Sequence, residues 1–298
     1  MRIINNILLI LKNLKSSDKI TKFCLEKSNL ENSLLYSKEA LTSSEKYKNE
    51  LIVSLTTYNK RIYDVSLVIE SLGRQTLKAN RIILWLDENE FNLDNIPYSL
   101  VKQMSRGLEI KFCPNYKSYK KIVPTLTLAP EADIITVDDD VIYPFDMIEG
   151  LVATESKFKN CIVAHHIHEI SFDSRGEVKL YRDWKKNISD IQPSMKYMAV
   201  GVGGVLYPQG SLTKLTLDES VFSKLAPNAD DVWLKAMTCL QNYSVVKAPH
   251  STDFWERFIS IESSQNIALF HENSNMGEND NQIKKVFREF GIVDKLNK

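Results

Sequence analysis

The sequence predicts an α/β domain, with a mostly parallel central sheet flanked by helices. Three observations carry this. Short apolar runs of strand length recur at residues 51–55, 81–86 and 134–137, with an alternating run at 108–112. Segments with apolar residues at helical spacing lie between several of them, and polar or acidic residues stand where the three apolar runs end. Strand and helix alternating at this spacing read as a doubly wound sheet, and strands without polar alternation are those buried on both faces.

Residues 1–48 read as an N-terminal helical extension, polar and rich in Lys, Ser and Asn, and the composition changes at Leu51. Its first ten residues are apolar, and Lys12, Lys15, Lys19 and Lys22 follow. Two readings are open: a basic amphipathic helix in which residues 1–22 touch the anionic inner face of a membrane, or a helix packed on the domain or on a second subunit. The apolar stretch falls short of the roughly 18 residues that a membrane span needs. It also lacks a small-residue cleavage site and is not read as a signal peptide.

Residues 49–298 read as a single catalytic domain. The strand at 51–55 leads into the polar loop Thr56, Thr57, Tyr58, Asn59, Lys60 and Arg61. A helix follows with Val65, Leu67, Val68, Ile69 and Leu72 on its apolar face. The strand at 81–86 ends on Asp87 and Glu88, and residues 108–112 alternate as a third strand. Residues 121–128 are expected to be helical with a late start, because Pro124 cannot sit inside a helix. The strand at 134–137 runs straight into Asp138, Asp139 and Asp140, and a helix follows at 145–158. Beyond it, 161–164 and 198–200 are expected to be strands and 229–242 a helix capped by Asn228 or Asp230. Residues 250–280 read as loop, and 281–290 as a last helix.

Composition narrows the function classes. The 38 basic and 38 acidic residues cancel, which gives no support to nucleic-acid binding, so an anionic ligand must be met by a local patch. Cys24, Cys113, Cys161 and Cys239 are far apart, which argues against a zinc cluster or disulfide framework and fits a reducing cytoplasm.

Three consecutive aspartates at the end of a buried strand repel one another unless a cation compensates. Oxygen ligands in this number suit Mg2+ or Mn2+, which are held by one or two carboxylates together with substrate phosphates. The bland alternative is an acidic turn leading into the next helix. A second acidic pair, Asp230 and Asp231, stands where a helix is expected to begin, fitting either a general base or a plain N-cap. Gly201, Gly203 and Gly204 lack the lysine and helix of a phosphate loop. His165, His166 and His168 fit packing or an acceptor-site wall better than zinc. Trp184, with Tyr181 and Arg182, is a candidate to stack on and bind an acceptor sugar, or part of a covering loop.

Together these residues resemble the GT-A-fold glycosyltransferases, whose sheet is Rossmann-like, and among them the large family 2 class. The resemblance rests on residues 51–61 with Thr56, Tyr58 and Arg61, on Ser71 to Thr76, and on residues 137–144 from Val137 through the aspartates to Pro144. It covers roughly residues 50–280. It implies that Thr56, Tyr58, Arg61, Asp87 and Lys121 (or Lys120) line the donor nucleotide pocket. Asp138 and Asp139 would lie on the ribose side, Asp140 with Asp138 would hold Mn2+ or Mg2+, and His271 is the candidate to complete the metal shell. Asp231 would be the catalytic base supported by Asp230, with Gly203 and Gly204 against the donor sugar. One departure is that aligning on Pro144 puts Val137 where the family has its first aspartate, which favours Asp139 and Asp140 as the working pair.

The expected activity is inverting transfer of a sugar from a nucleoside-diphosphate donor, such as UDP-sugar, to a saccharide or lipid-linked acceptor in bacterial surface polysaccharide synthesis. A sugar-nucleotide nucleotidyltransferase would want a glycine-rich loop after the first strand, which the Thr56–Arg61 loop is not. A non-catalytic sugar- or nucleotide-binding protein is the remaining rival.

Overall fold

A computed structural model describes residues 2–45, 47–250, 252–261 and 278–297, with side chains from residue 17 onward. Helix α1 (Arg2–Tyr36) forms most of the N-terminal extension. It leads to β1 (Leu51–Thr56), α2 (Val65–Gly73), β2 (Arg81–Asp87), α3 (Tyr98–Met104), β3 (Leu108–Cys113), α4 (Val123–Leu128) and β4 (Asp133–Thr136). The small strand β5 (Val141–Ile142) and α5 (Met147–Glu155) follow, then β6 (Cys161–Ala164), β7 (Ile167–Glu169), β8 (Tyr197–Ala199) and β9 (Val205–Tyr207). The chain continues through α6 (Glu219–Leu225), α7 (Asp230–Leu240), β10 (Ser244–Lys247), α8 (Phe254–Arg257) and β11 (Ile259–Ser260), and then α9 (Glu278–Glu289) and α10 (Ile292–Leu296).

Seven strands make the central sheet in the order β10-β6-β9-β4-β1-β2-β3. Pairings β1/β2, β1/β4, β2/β3 and β6/β10 are parallel, and β9 runs antiparallel between β4 and β6. Chain order reverses between β1 and β4, and ligands bind beyond the carboxyl ends of strands at such a switch point. Register gathers further residues at that edge: Thr136 faces Val205, Val205 faces Ala164, and Ala164 faces Lys247. Hence the loops after β1, β2, β4, β6 and β10, and the glycine segment before β9, all open on one side of the sheet.

Two buried layers hold the sheet. One joins β1 and β2 to α2 and α5 through residues such as Val53, Leu55, Val68, Leu72 and Leu151. The other joins the opposite face to α7 and the C-terminal helices through Ile134, Ile162, Trp233, Val286 and Phe287. The N-terminal extension is docked on the first layer. Leu30 is buried, and Ser33 donates to Glu70 Oε2 at 2.8 Å. Glu70 is itself fully enclosed and receives Arg106 and Gln103 at 2.6 and 2.9 Å. Among the described residues no helix is long and apolar enough to cross a membrane.

Several expectations change in detail. Tyr197–Ala199 is a strand, but it pairs with β7 in a separate two-stranded ribbon rather than entering the main sheet. The strand that does enter is β9, directly after the glycines. Helix α4 begins after a single turn of 3-10 helix at Lys117–Lys121, with proline in its first turn, as the ring requires. Helix α7 has Ala229 at its N-cap and no side-chain cap at all, so neither Asn228 nor Asp230 serves there.

Candidate active site

The loop after β1 and the aspartates after β4 meet at the switch point. Thr57 Oγ1 donates to Asp139 Oδ2 at 2.6 Å, and Arg61 Nη1 donates to Asp139 Oδ1 at 2.6 Å. The second guanidinium nitrogen of Arg61 reaches Asp140 Oδ2 at 2.9 Å. Asp139 therefore points inward, its side chain 6% exposed, whereas Asp138 and Asp140 on either side keep 28% and 13%. Burial, only partly offset by Arg61, pushes the Asp139 carboxyl up to about 6. Burial and repulsion from Asp138 raise Asp140 as well. The main chain here is pinned from two sides, since Ile261 N donates to Asp140 O at 2.8 Å and Asp138 N donates to Tyr143 Oη at 2.9 Å.

Across the switch point lies the start of α7. Lys121 Nζ donates to Asp138 Oδ1 at 2.6 Å and stands 3.6 Å from Asp230 Oδ2, tying the two acidic groups together. Burial works against the lysine's charge, but Asp138, Asp230 and Asp231 outweigh it and hold its pKa well above the usual value. Asp231 accepts the Gly201 backbone N–H at 3.2 Å. Burial, then repulsion from Asp230, pushes the Asp231 carboxyl up to about 7. Both acidic groups come close to Gly201: a Cβ there would lie 3.5 Å from both Asp138 Oδ1 and Asp231 Oδ1 and 3.4 Å from Lys121 Nζ. Asp87, at the end of β2, is buried and accepts the Asn89 N–H at 2.9 Å. Thr56 donates to Trp85 O at 2.8 Å, and the Arg61 guanidinium carbon lies 5.2 Å from the Tyr58 ring centre.

A mannosyltransferase from Pyrobaculum calidifontis, solved in complex with GDP-Man and Mn2+, superimposes with a TM-score of 0.51 over 94% of this chain and 78% of its own, at 10% identity. This chain has a GT-A-like fold. Two further matches fall below a TM-score of 0.5 and add no weight. One is GalNAc-T7 with UDP, GalNAc and Mn2+ (0.48, 11% identity, 73% of this chain and 47% of that one). The other is CMP:2-keto-3-deoxy-manno-octonic acid synthetase with CTP (0.39, 11% identity, 66% and 88%). No protein-family model matches the sequence, and no curated protein matches it either.

Within the GT-A-like frame the sequence-predicted residues separate into those that converge and those that do not. Thr56, Tyr58, Arg61, Asp87, Lys121, the aspartate triplet, Asp230 and Asp231 belong to strand ends, loops and helix starts at one edge of the sheet. Lys120 is buried beside Asp87 and Asp139, with its pKa lowered by that burial. Thr57 and Arg61 engage both Asp139 oxygens, and Arg61 also reaches Asp140, which leaves Asp138 and Asp140 as the more exposed two of the triplet. Trp184 is corrected from a sugar platform to a core residue: it is 3% exposed, stacks edge-on to Tyr181, and donates to Lys179 O. Gly203 and Gly204 are corrected too. A Cβ at Gly203 would meet Phe254 at 2.8 Å and one at Gly204 would meet Met147 Sδ at 3.1 Å, so both serve internal packing. The glycine that faces the acidic groups is Gly201, which belongs to the same predicted segment but was not singled out. His165, His166 and His168 are buried, and burial holds them neutral at about 4, 3 and 4. His271 lies outside the described residues.

The residues fit a divalent cation of the kind that shares its shell with substrate. Four aspartates, Asp138, Asp139, Asp140 and Asp230, lie at ion-pair distance from Arg61 or Lys121, and the two least buried of the triplet, Asp138 and Asp140, flank Asp139. Among the described residues no three His, Cys, Asp or Glu side chains form a closed cage. One or two carboxylates completed by phosphate oxygens and water are the usual arrangement for Mg2+.

Proposed function

We propose that this protein transfers a sugar from a nucleoside-diphosphate donor to an acceptor hydroxyl with inversion at the anomeric carbon. The observation that carries the reading is the approach of Asp138, Asp231 and Lys121 to one point beside Gly201. That arrangement supports chemistry in which one acidic group serves the leaving group and another serves the attacking hydroxyl.

Asp138 and Asp140 would hold Mn2+ or Mg2+, which when bound neutralises charge on a departing diphosphate. Thr57 and Arg61 grip Asp139 and so fix the strand end from which its neighbours project. Lys121 supplies fixed positive charge between Asp138 and Asp230, the neighbour of the base. Asp231 takes the acceptor hydroxyl's proton as the new oxygen–carbon bond forms and the bond to the diphosphate breaks. A base with a pKa near the working pH is suited to this, since it is ionised often enough to accept a proton and basic enough to pull it. A single displacement needs one such base and no covalent sugar–enzyme intermediate. Gly201 leaves the space between base and metal-side carboxylate open.

The mannosyltransferase likeness supports nucleotide-sugar chemistry as the class. UDP is the nucleotide we favour, and a saccharide or lipid-linked saccharide in surface polysaccharide synthesis the acceptor class, with the protein acting at the cytoplasmic side. A screen of UDP- and GDP-sugars with Mn2+, read as released nucleoside diphosphate, tests the reading. Turnover that disappears in both Asp140→Asn and Asp231→Asn is expected. Full turnover in either variant would overturn it.

A further inference from the structure

The sheet edge carries a second cluster of charged and titratable groups that the proposed chemistry leaves unused. Lys247 ends β10 and is 6% exposed. Its ammonium donates to Ile188 O at 2.7 Å and to Asn187 Oδ1 at 3.2 Å, leaving one of its three protons unassigned. Among the described residues it has no ion-pair partner, which is unusual for a buried cation. Lys186 also lacks one, and its ammonium lies 3.1 Å from the Tyr181 ring centre. His166 is 6% exposed, and its Nδ1 has no hydrogen-bond partner among the described residues. The His166 ring lies 4.9 Å from that of His168, which lies 5.9 Å from the Tyr181 ring beneath Lys186, and Lys247 bonds Asn187 next to Lys186, so the three groups share one neighbourhood.

The loop that joins them is held in a special conformation. Asn187 has φ of +43°, its N–H donates to His168 Nδ1 at 3.1 Å, and its side chain receives Lys247. Residues outside the usual backbone regions persist where surrounding contacts over-determine them, and they cluster at binding sites. The neighbourhood also adjoins the proposed base. Val200 N donates to His166 O at 3.0 Å and the next residue, Gly201, donates to Asp231 at 3.2 Å, while Lys247 lies in register with Ala164 and through it with Val205, just past the glycine segment.

We infer that Lys186, Lys247 and His166 form a subsite for an anionic group, a phosphate or a carboxylate, carried by the acceptor saccharide. The inference rests on the glycosyl-transfer reading of Asp231, since it is the base that makes this side of the sheet edge the acceptor side. Two ammonium groups with no ion-pair partner among the described residues, beside a ring nitrogen with no hydrogen-bond partner among them, would be completed by such a group, whose oxygens accept from all three. A neutral sugar would leave them as they are.

The test uses the full chain saturated with UDP and Mn2+, so that the donor site is filled, and titrates glucose 6-phosphate, glucuronate and glucose calorimetrically. If UDP does not bind, the donor reading fails and the titration without nucleotide judges the subsite alone. Binding of glucose 6-phosphate or glucuronate at least about tenfold tighter than glucose is expected, which is 1.4 kcal/mol. The tighter of the two identifies phosphate or carboxylate as the group. Lys186→Met and Lys247→Met should each remove that preference. Lys186 is exposed, so its variant tests the subsite even if the Lys247 variant fails to fold. Equal affinity for all three sugars, or an anion preference unchanged in Lys186→Met, would overturn the inference. So would binding of the sugar phosphate only when UDP is left out, which would place the anion in the donor site.

Discussion

Replacing Asp231 with Asn should disable the protein and stabilise it at once. The carboxyl's ordinary value is 3.8, and burial beside Asp230 lifts it to about 7 in the folded chain. Between those two values the native state keeps a proton that the unfolded chain has lost, so the group's contribution to stability falls as pH rises across that window. Above pH 7 the ionised carboxylate disfavours folding by about 4 kcal/mol at 1.36 kcal/mol per pH unit. Asn cannot ionise, and its carbonyl can still accept the Gly201 N–H. Relaxation of Lys121 toward Asp230 would absorb some of the difference, so a gain of roughly 2–4 kcal/mol at pH 8 is expected. Urea unfolding of both proteins in EDTA, at pH 4 and pH 8, measures it. The variant should be the more stable at pH 8 and indistinguishable near pH 4, while turnover falls by about 10²–10⁴-fold. Equal stabilities at pH 8, or a gap that persists at pH 4, would refute the placement of a strained, ionisable base at this position. In the native protein, kcat/KM should rise with pH through about 7 as the same carboxyl ionises.

Two further substitutions separate function from packing. Gly203→Ala drives a methyl into Phe254 and His165 and should cost about 1–3 kcal/mol of stability, whereas Gly201→Ala makes only ordinary contacts and should fold normally with reduced kcat, as thermal unfolding and turnover would report. Arg61→Met removes the partner of a buried carboxylate and should destabilise by about 3–5 kcal/mol; pairing it with Asp139→Asn should recover most of that loss in a double-mutant cycle.

The first half of the fold was legible because most of its strands are continuous apolar runs that end on polar loops. Residues 51–56 and 81–87 are buried along nearly their whole length, and their polar termini coincide with the site. The other half was harder to read. Strand β9 has three residues and β10 four, too few for periodicity to declare, and β9 is recognised only by its pairing with β4 and β6. Composition located the aspartate triplet but not the direction of each side chain. That direction is set by Thr57 and Arg61, which arrive from 78 to 82 residues away in the chain. The same limit explains Trp184 and the glycines: an aromatic residue in a polar segment suggests a sugar platform, yet the contacts of Tyr181 and Lys179 enclose it. Gly201 stood within the singled-out segment, and only three-dimensional proximity distinguishes it from Gly203 and Gly204.

The central claim is that Asp138 and Asp140 bind a donor diphosphate through a divalent cation. Calorimetric titration of UDP and GDP into the protein, with Mn2+ and then with EDTA, tests it most directly. The account predicts that one nucleotide binds at least about tenfold more tightly with Mn2+, that Asp140→Asn abolishes this advantage, and that Asp231→Asn keeps it. Nucleotide binding that is indifferent to the metal, or a metal effect that survives Asp140→Asn, would contradict it.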